Sequence, residues 1–209
     1  MKIKICGITS TKEIEFLNKF KPDYIGLVFT ESKRLINKEQ GKLLYDLVDK
    51  KIKVVGVFRN NSLQYIEDIL DVVPLDVVQL HGDEDEIFIT KIRKIFNGEI
   101  WKAVSVKSKD DINDFYKYKV DSLLFDGTKP GEGKIFLWKY LDEISADKKF
   151  FLAGGIDEEN VLKAIEEVNP YGIDISTSVE SIIDGKRIKD ELKVKRLIDK
   201  VRERHEGKI

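Results

Sequence analysis

The sequence predicts an α/β chain folded as a (β/α)8 barrel, a single domain over residues 1–209, and three observations carry that expectation. Short apolar, β-branched runs alternate with amphipathic stretches from end to end, the pattern of strands and helices around a parallel sheet. Eight such units fit into 209 residues, about 26 each against roughly 30 in a typical barrel of this kind, so the barrel is a compact one. The rival architecture, an open doubly wound sheet, carries a G-x-G-x-x-G turn after its first strand, and that turn is missing here.

Ile3 to Cys6 is the first strand, and the segment opening at Thr11, with Ile14, Leu17 and Phe20 at helical spacing, is its helix. Tyr24 to Phe29 follows as a strand. Its helix starts near Asn37, an N-cap with Glu39 in the first turn, and the spacing puts Leu43, Leu44, Leu47 and Val48 on one face. Lys53 to Phe58 is the third strand, after which Ser62 caps a helix bearing Ile66, Ile69 and Leu70. Val77 to Leu80 precedes a helix through Ile89, Ile92 and Ile95, and Ile100 to Val104 precedes one around Ile112 to Tyr116. Ser122 to Phe125 leads into the longest interruption, a Gly-rich connection from Asp126 to Lys134, and then a short helical stretch from Trp138 to Ile144. Phe150 to Ala153 and Gly172 to Ile175 are the last strands, with helices over Glu158 to Val168 and from about Lys189 to Arg202.

Lys and Arg total 37 against 38 Asp and Glu, a net charge of −1 that gives neither nucleic acid nor an anionic membrane a reason to bind. A small molecule is the expected partner. The single cysteine forms no internal disulfide, the N-terminus lacks the apolar core of a signal peptide, and no run approaches the ~18 apolar residues of a membrane span, so the expected location is cytoplasmic. Monomer and homodimer both stay open. Neither histidine sits in a cluster with metal-ligand spacing, so no metal is expected.

Barrels of this type gather their chemistry where strands end at the C-terminal rim. Applied to polar and reactive residues, this filter selects Cys6 after the first strand, Arg34 after the second, and Gln79 and His81 at the end of the fourth. It also selects Asp126 after the sixth, Gly154 and Gly155 after the seventh, and Asp174 with Ser176, Thr177 and Ser178 after the eighth. Cys6 alone reads equally as a small buried hydrophobe; at a strand end before Gly7, a thiol with its pKa lowered toward neutrality can take a proton from carbon. Asp126 is either a turn-capping acid or, with a raised pKa, a proton donor paired with that base. The loops LAGGI and DISTSVE offer small residues and backbone N–H groups to a phosphate, although Gly154-Gly155 also suits a plain tight turn. Arg34 is either a solvated cation or the partner of a substrate carboxylate, and His81 either a structural histidine or a ligand contact.

The strings KICGIT (4–9), VGVF (55–58), VQLHG (78–82), LAGGI (152–156) and GIDISTSVE (172–180), in that order, resemble the phosphoribosylanthranilate isomerase family over essentially the whole chain. The resemblance implies a TIM barrel that needs no cofactor and performs an Amadori rearrangement, an aldose-to-ketose isomerisation, in tryptophan biosynthesis. It puts the base on Cys6, the acid on Asp126, the carboxylate-binding arginine on Arg34 and a substrate-side acid on Asp174. Three departures stand out. Ser178 replaces the glycine of the family's SSGVE, Lys33 replaces the proline of its SPR, and the Gly-rich loop shrinks to Gly131-Glu132-Gly133-Lys134 ahead of Phe136-Leu137-Trp138. Two other readings compete: the aminosugar-phosphate isomerase of histidine biosynthesis, which resembles a two-aspartate design that Cys6 does not fit, and a barrel that binds sugar phosphates without turning them over.

Overall fold

The computed structural model describes residues 1–105, 118–127 and 149–206. Eight parallel strands close into a barrel in sequence order: β1 (Lys2–Cys6), β2 (Tyr24–Val28), β3 (Lys53–Phe58), β4 (Val77–Leu80), β5 (Glu99–Ser105), β6 (Ser122–Asp126), β7 (Phe150–Ala153) and β8 (Gly172–Ile175). The closing seam pairs β8 with β1, Lys4 opposite Asp174 and Ile5 opposite Ile175. Helices α1 (Thr11–Phe20), α2 (Lys38–Leu47), α3 (Leu63–Leu70) and α4 (Glu86–Ile95) follow the first four strands, α5 (Val161–Val168) follows β7, and α6 (Glu191–Glu206) ends the described chain. The helices expected around Ile112–Tyr116 and Trp138–Ile144, and the loop with Gly131 and Gly133, lie outside the described residues. No helix among the described residues is long and apolar enough to cross a membrane.

Most strand positions are apolar on both faces because both faces are covered. One phase of the alternation, including Ile3, Ile5, Ile25, Leu27, Val54, Val78 and Leu80, packs outward under the helices. The other fills the lumen, where Tyr24, Val55, Val57, Val77, Trp101, Leu124 and Phe151 form a second cluster. Trp101 stacks on Phe151 with ring centroids 4.3 Å apart, and Tyr24 meets Trp101 edge-on at 4.9 Å.

Each of the first four helices starts where a polar side chain takes up orphan N–H groups. Ser10 caps α1 in a reciprocal box with Glu13, Asn37 accepts from the Gln40 N–H, and Ser62 accepts from the Tyr65 N–H. Glu13 is itself buried, and its second oxygen accepts from the Lys189 N–H at 2.6 Å, tying the first helix to the end of the chain.

Three expectations need correction. In α2 only Leu44 of the four predicted residues is fully buried, while Leu43 and Leu47 are about half exposed. The inward face instead runs through Gly41, Leu44, Tyr45 and Val48, the i, i+3, i+4, i+7 set that meets the sheet. The helix expected from Glu158 begins at Val161, because Asp157 and Asn160 spend their side chains on the local turn. The last helix starts at Glu191 rather than Lys189. Lys189 closes an antiparallel hairpin, β9 (Glu180–Ile183) and β10 (Lys186–Lys189), whose turn places Asp184 and Gly185 in the left-handed region.

Candidate active site

A cleft of about 380 Å³ opens at the C-terminal ends of the strands, and all eleven residues picked from the sequence line it: Cys6, Arg34, Gln79, His81, Asp126, Gly154, Gly155, Asp174, Ser176, Thr177 and Ser178. Register explains the convergence. Cys6, Gln79, Asp126 and Asp174 occupy the lumen phase at or near the last residue of β1, β4, β6 and β8. With β1 and β6 separated by only β7 and β8 on one side of an eight-strand ring, the thiol and the carboxylate approach the same space from different walls.

The Cys6 sulfur has room because its register partner on β2 is Gly26; a Cβ there would stand 2.6 Å from Sγ. Burial pushes the Cys6 thiol up from its ordinary pKa, and the nearby Lys4 and Lys189 charges pull it back without cancelling the effect, while Asp174 adds to the rise. The sequence shows the cysteine but not how dry its surroundings are.

Asp126 is held by His81, whose Nε2 lies 3.3 Å from Oδ2. The Gln79 amide nitrogen lies 3.0 Å from His81 Nδ1, so the amide donates there and assigns the imidazole proton to Nε2, facing the carboxylate. Across the strand, Gly154 has φ +78°, and a Cβ on it would lie 2.7 Å from Asp126 Oδ1. Glycine therefore lets the last strand loops crowd the acid.

Arg34 does not stand free. Its Nε donates to Glu180 Oε1 at 2.5 Å, and one terminal nitrogen donates to Oε2 at 2.8 Å and to Thr177 Oγ1 at 3.1 Å, a bidentate clamp joining the loop after β2 to the loop after β8. Burial works against ionisation of Glu180, but hydrogen bonds from Arg34 and Lys189 overcome it and hold the carboxyl at a pKa of about 2. Lys189 is buried too and spends its ammonium on Glu180, the Ser176 carbonyl and the Ser176 hydroxyl.

In the last two loops Gly155 also has a left-handed φ of 71°. Thr177–Val179 forms a single 3-10 turn, and Ser178 needs no positive φ, so a serine fits the backbone where the family has glycine. Its hydroxyl donates to the Ile156 carbonyl at 2.6 Å, and the Ser176 hydroxyl donates to the Cys6 carbonyl at 3.0 Å. Both hydroxyls brace the loops.

Sequence reasoning missed Glu180, Lys189 and Lys4. A lysine within a strand reads as solvated, and only the alternation from Cys6 back to Lys4 signals that this one faces the lumen. Arg59 and Thr30 also line the cleft.

Fold and site together define a (β/α)8-barrel protein whose mouth brings a thiol, a histidine-braced carboxylate and a glycine-flanked loop pair around one small-molecule cleft. A family model described as N-(5′-phosphoribosyl)anthranilate (PRA) isomerase matches residues 3–200. The N-(5′-phosphoribosyl)anthranilate isomerase of Clostridium beijerinckii is 42% identical, over 97% of this chain and 97% of that protein. Among solved structures, the monomers generated from the dimeric phosphoribosylanthranilate isomerase of Thermotoga maritima match at 31% identity and TM-score 0.79, covering 97% of this chain and 98% of theirs. A phosphoribosylanthranilate isomerase in complex with reduced 1-(o-carboxyphenylamino)-1-deoxyribulose 5-phosphate matches at 30% identity and TM-score 0.81, covering 97% and 99%. The chain belongs to the N-(5′-phosphoribosyl)anthranilate isomerase family.

Proposed function

We propose that this chain converts N-(5′-phosphoribosyl)anthranilate to 1-(2-carboxyphenylamino)-1-deoxyribulose 5-phosphate by general acid and base catalysis, with Asp126 as acid and Cys6 as base. The observation that carries the reading is the presence of both groups on the lining of one cleft, from strands on different walls. Asp126 gives its proton to the furanose ring oxygen. The C1–O bond breaks and the anthranilate nitrogen lone pair forms a C1=N iminium, which acidifies the proton on C2. The Cys6 thiolate removes that proton, the C–H electrons form C1=C2, and the iminium pair returns to nitrogen. The resulting enolamine tautomerises to the ketone, C1 gaining a proton and the C2 hydroxyl losing one. His81 orients Asp126, and Gln79 fixes the tautomer of His81. The substrate's own nitrogen is the electron sink, so the scheme calls on no cofactor.

Each charged end of the substrate is assigned to its own group on the cleft lining. Phosphate goes to Gly154, Gly155 and the loop Ser176 to Ser178, whose backbone suits an anion at the last two loops of such a barrel. The anthranilate carboxylate goes to Arg34, whose second terminal nitrogen is not engaged by the Glu180 clamp, and Asp174 faces the sugar. The reading carries with it one working domain over residues 1–209, a phosphorylated aminosugar as the small-molecule partner, a cytoplasmic setting and a monomer or homodimer.

Purified protein mixed with N-(5′-phosphoribosyl)anthranilate is expected to extinguish the anthranilate fluorescence at an enzymatic rate and to leave the aminosugar of histidine biosynthesis untouched. Absence of turnover by folded protein, or preference for the second substrate, would remove this reading.

A further inference from the structure

Below Cys6 the lumen holds a charge that none of the eleven site residues accounts for. Lys4, two residues earlier on β1 and on the same phase, has no solvent exposure. Its ammonium is 2.8 Å from Asp174 Oδ2, across the seam where the two residues are register partners. Burying an ion pair is an expensive way to close a barrel, since apolar residues of similar size usually serve stability as well or better. The same seam shows the cheaper solution on its outer face, where Ile3 pairs with Ile173 and Ile5 with Ile175.

The pair is also incomplete. Asp174 Oδ1 is buried without a hydrogen-bond partner, and Lys4 spends one of its three N–H donors on Oδ2. On the same lumen-facing side of β1, two residues toward the mouth, stands Cys6, and its charge favours the ammonium form of Lys4. The remaining charges around that sulfur are committed elsewhere. Lys189 on β10 is occupied by Glu180 and Ser176, Arg34 by Glu180 and Thr177, and across the cleft His81 and Asp126 hold each other.

We propose that Lys4, anchored by Asp174, is a positioning residue that supplies the positive charge against which Cys6 holds its thiolate. The proposal rests on the reading of Cys6 as the base, but the thiolate itself can be read without turnover. Burial makes an isolated thiolate unfavourable at this depth, and Lys4 is the largest single influence opposing it. Asp174 then keeps the lysine charged in a dry lumen and aims it along the strand, which gives the buried pair a purpose beyond closing the seam.

Cys6 is the chain's single cysteine, so its alkylation by iodoacetamide across a pH series titrates that thiol alone, with no substrate present. Replacing Lys4→Met is expected to move the alkylation midpoint up by about one pH unit or more. The ascending limb of kcat/KM should move upward with it, since the base works only when deprotonated. Because Lys4→Met strands a buried carboxylate, the double variant Lys4→Met/Asp174→Asn serves as the version that folds. Its midpoint also rises, because on this sulfur the Lys4 charge outweighs that of Asp174. An unmoved midpoint in the folded double variant overturns the proposal. A midpoint that moves while the kcat/KM limb stays put upholds the influence of Lys4 on the sulfur and instead removes Cys6 from the role of base.

Discussion

The two ends of the lumen are built from the same strands and obey opposite rules. Toward the strand starts, Tyr24, Trp101 and Phe151 interlock, and the Trp101 indole N–H is satisfied by Glu99 at 2.9 Å. Toward the strand ends, the lumen positions turn to Cys6, Gln79, Asp126 and Asp174, and two buried acceptors, Gln79 Oε1 and Asp174 Oδ1, are left without donors. An unsatisfied buried polar atom costs roughly 1–3 kcal/mol, so the mouth is held in place at the expense of stability that the aromatic floor provides. Folding strength and chemistry are thus separated along the axis of each strand, within two or three residues.

That division can be broken from either end. The largest effect is expected at the mouth: Cys6→Ala and Asp126→Asn should each lower kcat by about 10²–10⁴-fold in the fluorescence assay while leaving the urea unfolding midpoint nearly unchanged. Near-parental turnover in either variant would discard the assigned acid and base. At the floor the expectation reverses. Phe151→Ala should cost roughly 3–5 kcal/mol of unfolding free energy, with kcat per folded molecule preserved. A folded Phe151→Ala protein that has lost its chemistry would show that the two ends are coupled.

A smaller, pH-dependent effect separates the clamp from both. Glu180 ionises near pH 2 in the folded chain against an ordinary value of 4.5. A depressed carboxyl contributes stability that is fully present above about pH 4.5 and is lost as pH falls toward 2, because there the unfolded chain binds the extra proton. Glu180→Gln should flatten the stability profile across that window, as followed by chemical denaturation at a series of pH values. The smallest change is expected remote from the lumen: Ser10→Ala removes one partner of the α1 capping box and should cost about 1 kcal/mol with no change in kcat.

Much of this was legible before any coordinates. Eight strands were countable because each carries short apolar, β-branched stretches covered on both sides, and the rim rule then gathered eleven scattered residues that all line one cleft. What escaped depends on three-dimensional neighbours. The α2 face was misjudged because Leu43, Leu44, Leu47 and Val48 are all apolar, and only contact with the sheet decides which of them turns inward. The state of the thiol was not readable, because residue type says nothing about desolvation, and here burial dominates. Arg34 was identified, but its bidentate hold on a residue 146 positions away follows from the closure of the barrel and from no local spacing. The hairpin was different: the Asp184-Gly185 dipeptide after Ile182 and Ile183 was a readable turn signal that the helical pattern of the following segment overshadowed.

That hairpin separates its base from its tip. Glu180 and Lys189, its first and last residues, are buried and bonded to each other and to the loops at the mouth, whereas Asp184 and Gly185 project where a side chain added at Gly185 would meet nothing within 4 Å. A short peptide tag or a spectroscopic reporter grafted at this turn would be carried on a two-stranded stalk anchored at its base, leaving the reactive sulfur undisturbed.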